Sequence, residues 1–356
     1  GRYGDGIFAT NYGTDLTIHT TAATGGRSGI YASNSGNGEL RIASSEAAIG
    51  TSHTGVSAAN FGTDLTLQTT EVSGGAVGVF ARNSGIGALR ITSSEAVTGT
   101  SGTGVYARNQ GTDLTIQTAT VTGGSFGILA RNWGSGTLDI TSSGLVTGTN
   151  STGIFAENSG TNLSLQAAAV TSDGDGIMAY NTGSGALRIT TSGAVTATRR
   201  IGIWARNYGT DLILQTEAVM GGISGIQVSH NGQGTLNITT SGLVVADRAY
   251  ALILTRFVGG TTDGTITNNG GLVSKENTAV WVTSGMNFVG EFNNNADITG
   301  GNGTAFDASA TTNGMVLNHA AGTITGDVLL GSGNDRVNIT GGSINGRIIG
   351  QGFGTV

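Results

Sequence analysis

A glycine followed by Ile or Val recurs at Gly6, Gly29, Gly55, Gly78, Gly104, Gly127, Gly153, Gly176, Gly202 and Gly225, and the spacing alternates 23, 26, 23, 26 without a break. Self-similarity at a fixed period means stacked copies of one supersecondary unit, none of which can bury its apolar face alone. The repeating unit is 49 residues long and consists of two unequal coils.

Other columns keep the same register. Five residues after the anchor stand Asn11, Asn34, Asn60, Asn83, Asn109, Asn132, Asn158, Asn181 and Asn207, with His230 in the tenth coil. Seven after it is always glycine, from Gly13 to Gly232. A Leu-x-Ile/Leu pair follows, as in Leu16/Ile18 and Leu40/Ile42, and then a third short apolar segment at residues such as Val72, Val97 and Val121. Apolar and polar residues alternate over short runs bounded by glycine-rich turns, a strand pattern that fits no helix.

Each coil therefore holds three short strands. Coils of 23 and 26 residues suit a right-handed, three-sided parallel β-helix, an all-β β-solenoid whose coils stack about 4.8 Å apart. The residue after each anchor and the Ala two further on (Ala9, Ala32, Ala58) point inward. The Asn column is expected to form a stacked amide ladder at a turn. The glycine after it is expected to take a positive φ, where a Cβ is costly.

The pattern is regular over residues 1–250 and looser over 251–356, where Ala251, Ala279 and Ala305 continue the inward column while the Asn-x-Gly turn disappears. One solenoid of roughly thirteen to fifteen coils is expected, with a change of coil type and no change of domain. The chain opens in mid-pattern, carries no signal peptide and shows no polar cap at either end. The natural protein is therefore expected to be longer or to stack on a partner.

Composition narrows the function. The chain has 64 glycines, no proline and no cysteine, which removes disulfides, thiolate metal sites and thiol catalysis together. A net charge of −6 opposes general nucleic-acid binding. No apolar run approaches the ~18 residues of a membrane span.

The tail from Thr323 to Gly346, TITGDVLLGSGNDRVNITGGSING, and the Thr/Gly/Asn/Ser-rich, cysteine-free coils before it resemble the passenger domains of Gram-negative autotransporters (type V secretion). The resemblance implies export through an outer-membrane β-barrel, which would lie outside these residues, followed by display on the cell surface or release. It implies a non-enzymatic, adhesin-like stalk in surface adhesion, aggregation or biofilm. The partner would be a host or bacterial surface glycan or protein, or a second copy of the chain.

No catalytic residue is assigned. The four histidines, His19, His53, His230 and His319, are scattered, so a Ser-His-Asp triad is unsupported. Pectate-lyase-like enzymes share this fold but need calcium-binding carboxylates beside a catalytic Arg or Lys. Here Asp15, Asp64, Asp113 and Asp211 recur every second coil, about 9–10 Å apart and too distant for joint ligation. With Arg41, Arg90 and Arg188 in the intervening coils they read as a surface ion-pair lattice, Asp64 pairing with Arg41 or Arg90. Two acidic spots stay open as calcium candidates, Asp173/Asp175 near Glu157 and the single Gly331–Asp335 run. The reading is of a chain without metal or cofactor.

What remains for function faces outward. Two residues after the anchor run Phe8, Tyr31, Phe80, Tyr106, Leu129, Phe155, Met178 and Trp204, and two positions on run Arg82, Arg108, Arg131 and Arg206. Further aromatics, Tyr12, Phe61, Trp133 and Tyr208, stand in the turn. A line of exposed aromatics is unusual. One reading is self-stacking between coils, with arginines covering the rings. The other is a face for glycans or for another protein chain. Two further functions stay in view. The first is a filament or matrix subunit associating end to end or laterally. The second is a polysaccharide-active lyase or hydrolase, which should break the repeat at a cleft, whereas residues 1–245 run without such a break.

Overall fold

A computed structural model of the chain describes residues 4–256 and 261–351. All regular secondary structure among them is β: 39 strands in about 13 turns, three to most coils, with the second and third merged at Leu138–Gly148 and Leu163–Ser172. The first coil holds β1 (Ile7–Asn11), β2 (Leu16–Thr20) and β3 (Ala23–Gly25). Each pairs in parallel with the same strand of the next coil, so that Ile7 opposes Ile30, Leu16 opposes Leu40 and Ala23 opposes Ala48. Backbone bonds run from coil to coil, as where Ile7 N–H donates to Gly29 C=O at 2.9 Å. Two compact units are present, one up to Gly174 together with Met178–Gly185, the other comprising Asp175–Ile177 and the residues from Ala186 onward. Both are built of such coils.

Alternation sets the interior. In strand Ile30–Asn34 the residues Ile30, Ala32 and Asn34 are buried while Tyr31 and Ser33 are not. The second and third strands repeat the pattern with Leu40/Ile42 and Ala48. Each fully buried Leu, Ile or Val contributes about 1.5–3 kcal/mol, so the stacked apolar columns supply the driving force.

The unequal coil lengths have one origin. The first turn takes nine steps from Ile7 to Leu16 but ten from Ile30 to Leu40. The second takes seven from Leu65 to Val72 but eight from Leu89 to Val97, and the third seven from Val72 to Val79 but eight from Val97 to Val105. The longer coil thus carries one extra residue in each turn, and the strands never lose register.

In the first turn an aspartate of the short coil below caps the added N–H. Glu39, Ala88, Thr137 and Thr235 donate to Oδ1 of Asp15, Asp64, Asp113 and Asp211 at 2.6–2.9 Å. The residue before each donor is glycine, and a Cβ at Gly38, Gly87, Gly136 or Gly234 would strike that same oxygen. This corrects the expected ion-pair lattice. Asp64 caps a backbone N–H, and Arg41 turns to Gln68 Oε1 at 3.2 Å.

A second correction concerns the glycine after the Asn column. Among the described residues, positive φ occurs at glycines of the looser coils, such as Gly264 and Gly271, and not in the Gly13–Gly232 column. Gly36 is required for closeness instead, because a Cβ there would run into the Gly13 carbonyl oxygen. A third concerns Ala251, Ala279 and, by the pairing of Phe306 with Val280, Ala305. Leu252 opposes Ile226 and Val280 opposes Leu252, so these alanines take the register of the anchor glycine, while Leu254 and Val282 continue the inward Ala column.

The Asn column is the expected ladder, and it is fully buried from Asn34 to Asn207. In the first unit Nδ2 donates to Oδ1 of the next coil in an unbroken run from Asn11 to Asn181, at 2.8–3.3 Å. The second amide hydrogen goes to a carbonyl of its own turn, as from Asn109 to Asp113 O at 3.1 Å. An amide carries donors and acceptor in one planar group, so translation by one coil satisfies both. In the second unit Asn207 Nδ2 donates to the carbonyls of Thr210 and Asp211.

Two stability predictions follow from this network. Asn109→Ala removes one bond from the Nδ2 of Asn83, one from the Oδ1 of Asn132 and one from each of the Thr112 and Asp113 carbonyls, all of which keep another partner, and should destabilise by roughly 0.5–1.5 kcal/mol per bond lost, read as a lower urea midpoint. At the cap, Asp64→Asn should be nearly neutral, since Asn162 Oδ1 already stands beneath Gly185. Asp64→Ala should cost about 1 kcal/mol in the same titration.

Candidate functional site

The outward stripe is assembled by strand register. Phe8 opposes Tyr31, Phe80 opposes Tyr106, and Leu129 opposes Phe155, while Arg82, Arg108 and Arg131 stack in the neighbouring column. Trp204 and Arg206 stand in the second unit, opposite Gln227 and Ser229. The stripe is less open than alternation alone suggests. Phe8 is 63% exposed, but Tyr31, Phe80, Tyr106, Phe155 and Trp204 are half-buried. Their neighbours cover them: Phe8 stacks on Tyr31 with centroids 5.0 Å apart, Phe80 meets Tyr106 edge-on at 5.2 Å, and Phe155 meets Tyr180 at 5.8 Å.

The arginines lean toward the turn. Arg82 lies over Phe61 at 6.0 Å, Arg108 over Trp133 at 4.5 Å and Arg206 over Tyr208 at 4.8 Å. Arg131 alone of the four covers a stripe ring, Phe155, at 5.2 Å, and it also pairs with Glu157 at 3.2 Å. Apart from Phe8 in the first coil, the rings most open to solvent are those of the turn edge: Tyr12 is 83% exposed, Phe61 50% and Trp133 39%. Cation–π pairs at such exposed places contribute about 0.5–1 kcal/mol each.

A feature that the apolar pattern does not reveal lies at the end of each second strand. Ser44, Thr69, Ser93, Thr118 and Ser142 form a buried hydroxyl column in the first unit. The serines of the long coils bond down to turn carbonyls, Ser93 Oγ to Thr70 O at 2.6 Å and Ser142 Oγ to Ala119 O at 2.8 Å. Beside this column runs a groove of about 610 Å³, bordered by residues such as Thr20, Gln68, Thr70 and Thr92, and continued by one of about 280 Å³ past Gln117 and Thr141. In the second unit the column turns into another ladder: Thr240 Oγ1 to Asn268, Asn268 to Asn294 at 2.7 Å, Asn294 to His319 Nδ1 at 3.0 Å, and His319 Nε2 to Ser343 O at 3.1 Å. The signal was the Ser/Thr two residues after the Leu-x-Ile/Leu pairs, with Ala167 the substitute in one coil, which alternation puts on the same inward face as the pair.

The calcium candidates resolve into backbone caps. Asp175 is buried, accepts the Ile201 N–H at 3.1 Å and pairs with Arg200 at 3.3 Å. Burial raises its carboxyl above the ordinary value, against the opposing pull of Ile201 and Arg200. Asp335 accepts the Met315 N–H at 2.9 Å, and burial raises it likewise. Among the described residues no three His, Asp or Glu side chains come together to hold a metal ion. No family model, curated protein or solved structure matches the chain.

His230 occupies the ladder position above Asn207 and is fully buried. Its Nε2–H donates to Gly234 O at 3.0 Å, and its Nδ1 lone pair has no partner. Burial lowers its pKa below the ordinary histidine value and Arg256 lowers it further, while the Gly234 bond and Asp211 oppose. A lowered folded pKa means that the unfolded chain takes up the proton first. Stability is then full above about pH 6.5 and is lost as pH falls from there through the folded value. His230→Asn should restore the amide ladder and flatten the pH dependence of the thermal midpoint over that window relative to wild type.

Proposed function

We propose that this chain is a non-enzymatic extracellular stalk of the autotransporter-passenger kind, displayed on or released from a Gram-negative cell, in which the first-turn edge recognises a glycan or protein on a host or bacterial surface. The observation that carries the reading is the row of arginine–aromatic pairs on that edge, Arg82 with Phe61 and Arg108 with Trp133, where the rings keep solvent-exposed faces. Exposed aromatic surface takes up the apolar face of a sugar ring or an apolar side chain. A guanidinium beside it offers N–H donors in the fork that matches a carboxylate or sulfate. Acidic surface glycans present both features on one residue.

The interior supports the stalk half of the reading. Side-chain ladders and apolar columns repeat from coil to coil, so length can be extended without a new fold. Each pair on the edge is weak alone, and several engaged along one glycan chain add up through effective concentration.

Binding of the purified chain to immobilised acidic glycans and to whole cells tests the proposal. Phe61→Ser/Trp133→Ser should lower binding about tenfold, equivalent to ~1.4 kcal/mol, with the thermal midpoint little changed. Unaltered binding by this folded variant would remove the edge as a recognition face.

A further inference from the structure

We infer that the groove along the second turn of the first unit is a separate binding site for a neutral, hydroxyl-rich polysaccharide whose chain runs along the stacking axis. Three observations carry this. The first is continuity. The two concavities share Thr92 and Ser94 at their junction and together cross from His19 in the first coil to Thr141 in the sixth. That is about 24 Å at one strand spacing per coil, room for several linked sugars and far more than one small molecule needs.

The second observation is the chemistry of the walls. Apart from His19 at one end, they consist of Ser and Thr hydroxyls and Gln amides, with small alanines between, and no Arg, Lys, Asp, Glu or large apolar side chain takes part. A nucleic acid or acidic glycan would find Arg41 bonded to Gln68 at the rim and no Lys or Arg lining the groove itself. A protein partner would lack the aromatic or aliphatic anchor on which interface energy concentrates. Strand addition has nothing to pair with, because the backbones on either side already bond to the coils above and below. Hydroxyls and amides both donate and accept. The ligand they satisfy is one that does the same at every position, which is a chain of uncharged sugars.

The third observation is unspent hydrogen-bonding capacity at a regular step. Gln68 and Gln117 stand exposed on the rim two coils apart, with Thr92 in the coil between and Thr141 in the coil after. Arg41 holds Oε1 of Gln68 at 3.2 Å, which orients the amide and leaves its N–H donors. The hydroxyls of Thr70 and Thr118 lie behind the wall, sealed from solvent, so the accessible capacity is that of the rim amides and threonines. The amide step of about 10 Å gives the site a polymer's periodicity, so affinity should grow with chain length until the groove is filled.

The test uses the purified chain and a graded series of neutral β-linked gluco-oligosaccharides, with polygalacturonate oligomers as the acidic control, followed by calorimetry and by NMR shifts of Gln side-chain amides. Affinity should rise at least fivefold from the disaccharide to the hexasaccharide. Gln68→Ala/Gln117→Ala, which alters only exposed rim residues, should weaken hexasaccharide binding at least fivefold without moving the thermal midpoint. Phe61→Ser/Trp133→Ser should leave it unchanged, which separates this site from the first-turn edge. Absence of neutral-oligosaccharide binding, affinity independent of length, or binding insensitive to the Gln pair would each overturn the inference.

Discussion

Within each unit the structure depends on successive coils lying one β-strand spacing apart, about 4.8 Å. At that distance every residue has the same residue type, or its substitute, directly above and below. A side chain must therefore be complementary to its own translated copy. Apolar residues meet this trivially. Among polar ones, an amide meets it fully, because its donor side faces the acceptor side of the next, which is how Asn34 can be fully buried and satisfied at once. Where the backbones of two turns touch, no side chain fits at all, and Gly36 over Gly13 is the result.

The double coil refines this rule. Adding one residue to each turn of alternate coils leaves the strands in register but creates an N–H that the short coil below does not match. Asp15 and its counterparts close the gap, and Gly38 and its counterparts leave room for the carboxylate. The interior thus repeats every coil, as does the outward arginine column of Arg82, Arg108 and Arg131, while the turn lengths and the Gln68 and Gln117 column repeat every second coil.

The same geometry decides what the sequence could show. Inward columns were legible because their constraint is self-contained: Ile30, Ala32, Asn34, Leu40 and Ile42 could be placed inside from one strand's alternation and the repeat. The aspartate column was legible as a column and misread as ion pairs, because its partner is a backbone N–H of the neighbouring coil, which leaves no mark on residue type. The glycines were assigned a positive φ when the reason was the proximity of the next turn. Alternation placed Tyr106 outward correctly. It did not show that Phe80 would lie against the ring, nor that Arg108 would seek Trp133 in the turn in preference to the stripe. The open part of the candidate edge had to come from three-dimensional neighbours. The hydroxyl groove was hidden more deeply: alternation puts Ser93 and Thr118 on the inward face with Ile91 and Ile116, but Ser and Thr carry no hydrophobic signal that marks a groove beside them.

A wall made of stacked coils is shallow, and this sets the energetics of anything recognised there. One exposed cation–π pair supplies about 0.5–1 kcal/mol and one hydrogen bond about 0.5–1.5 kcal/mol, neither enough to hold a ligand against the cost of association. Both kinds of contact recur at coil multiples in the first unit: Arg82 on Phe61 is followed by Arg108 on Trp133, and Gln68 by Gln117. A ligand with its own repeat can engage successive members after the first, each at high effective concentration. A compact ligand cannot, and meets one weak contact at a time. The stacking that leaves this surface shallow therefore also selects for polymers, because only a polymer extends in the direction in which the contacts accumulate.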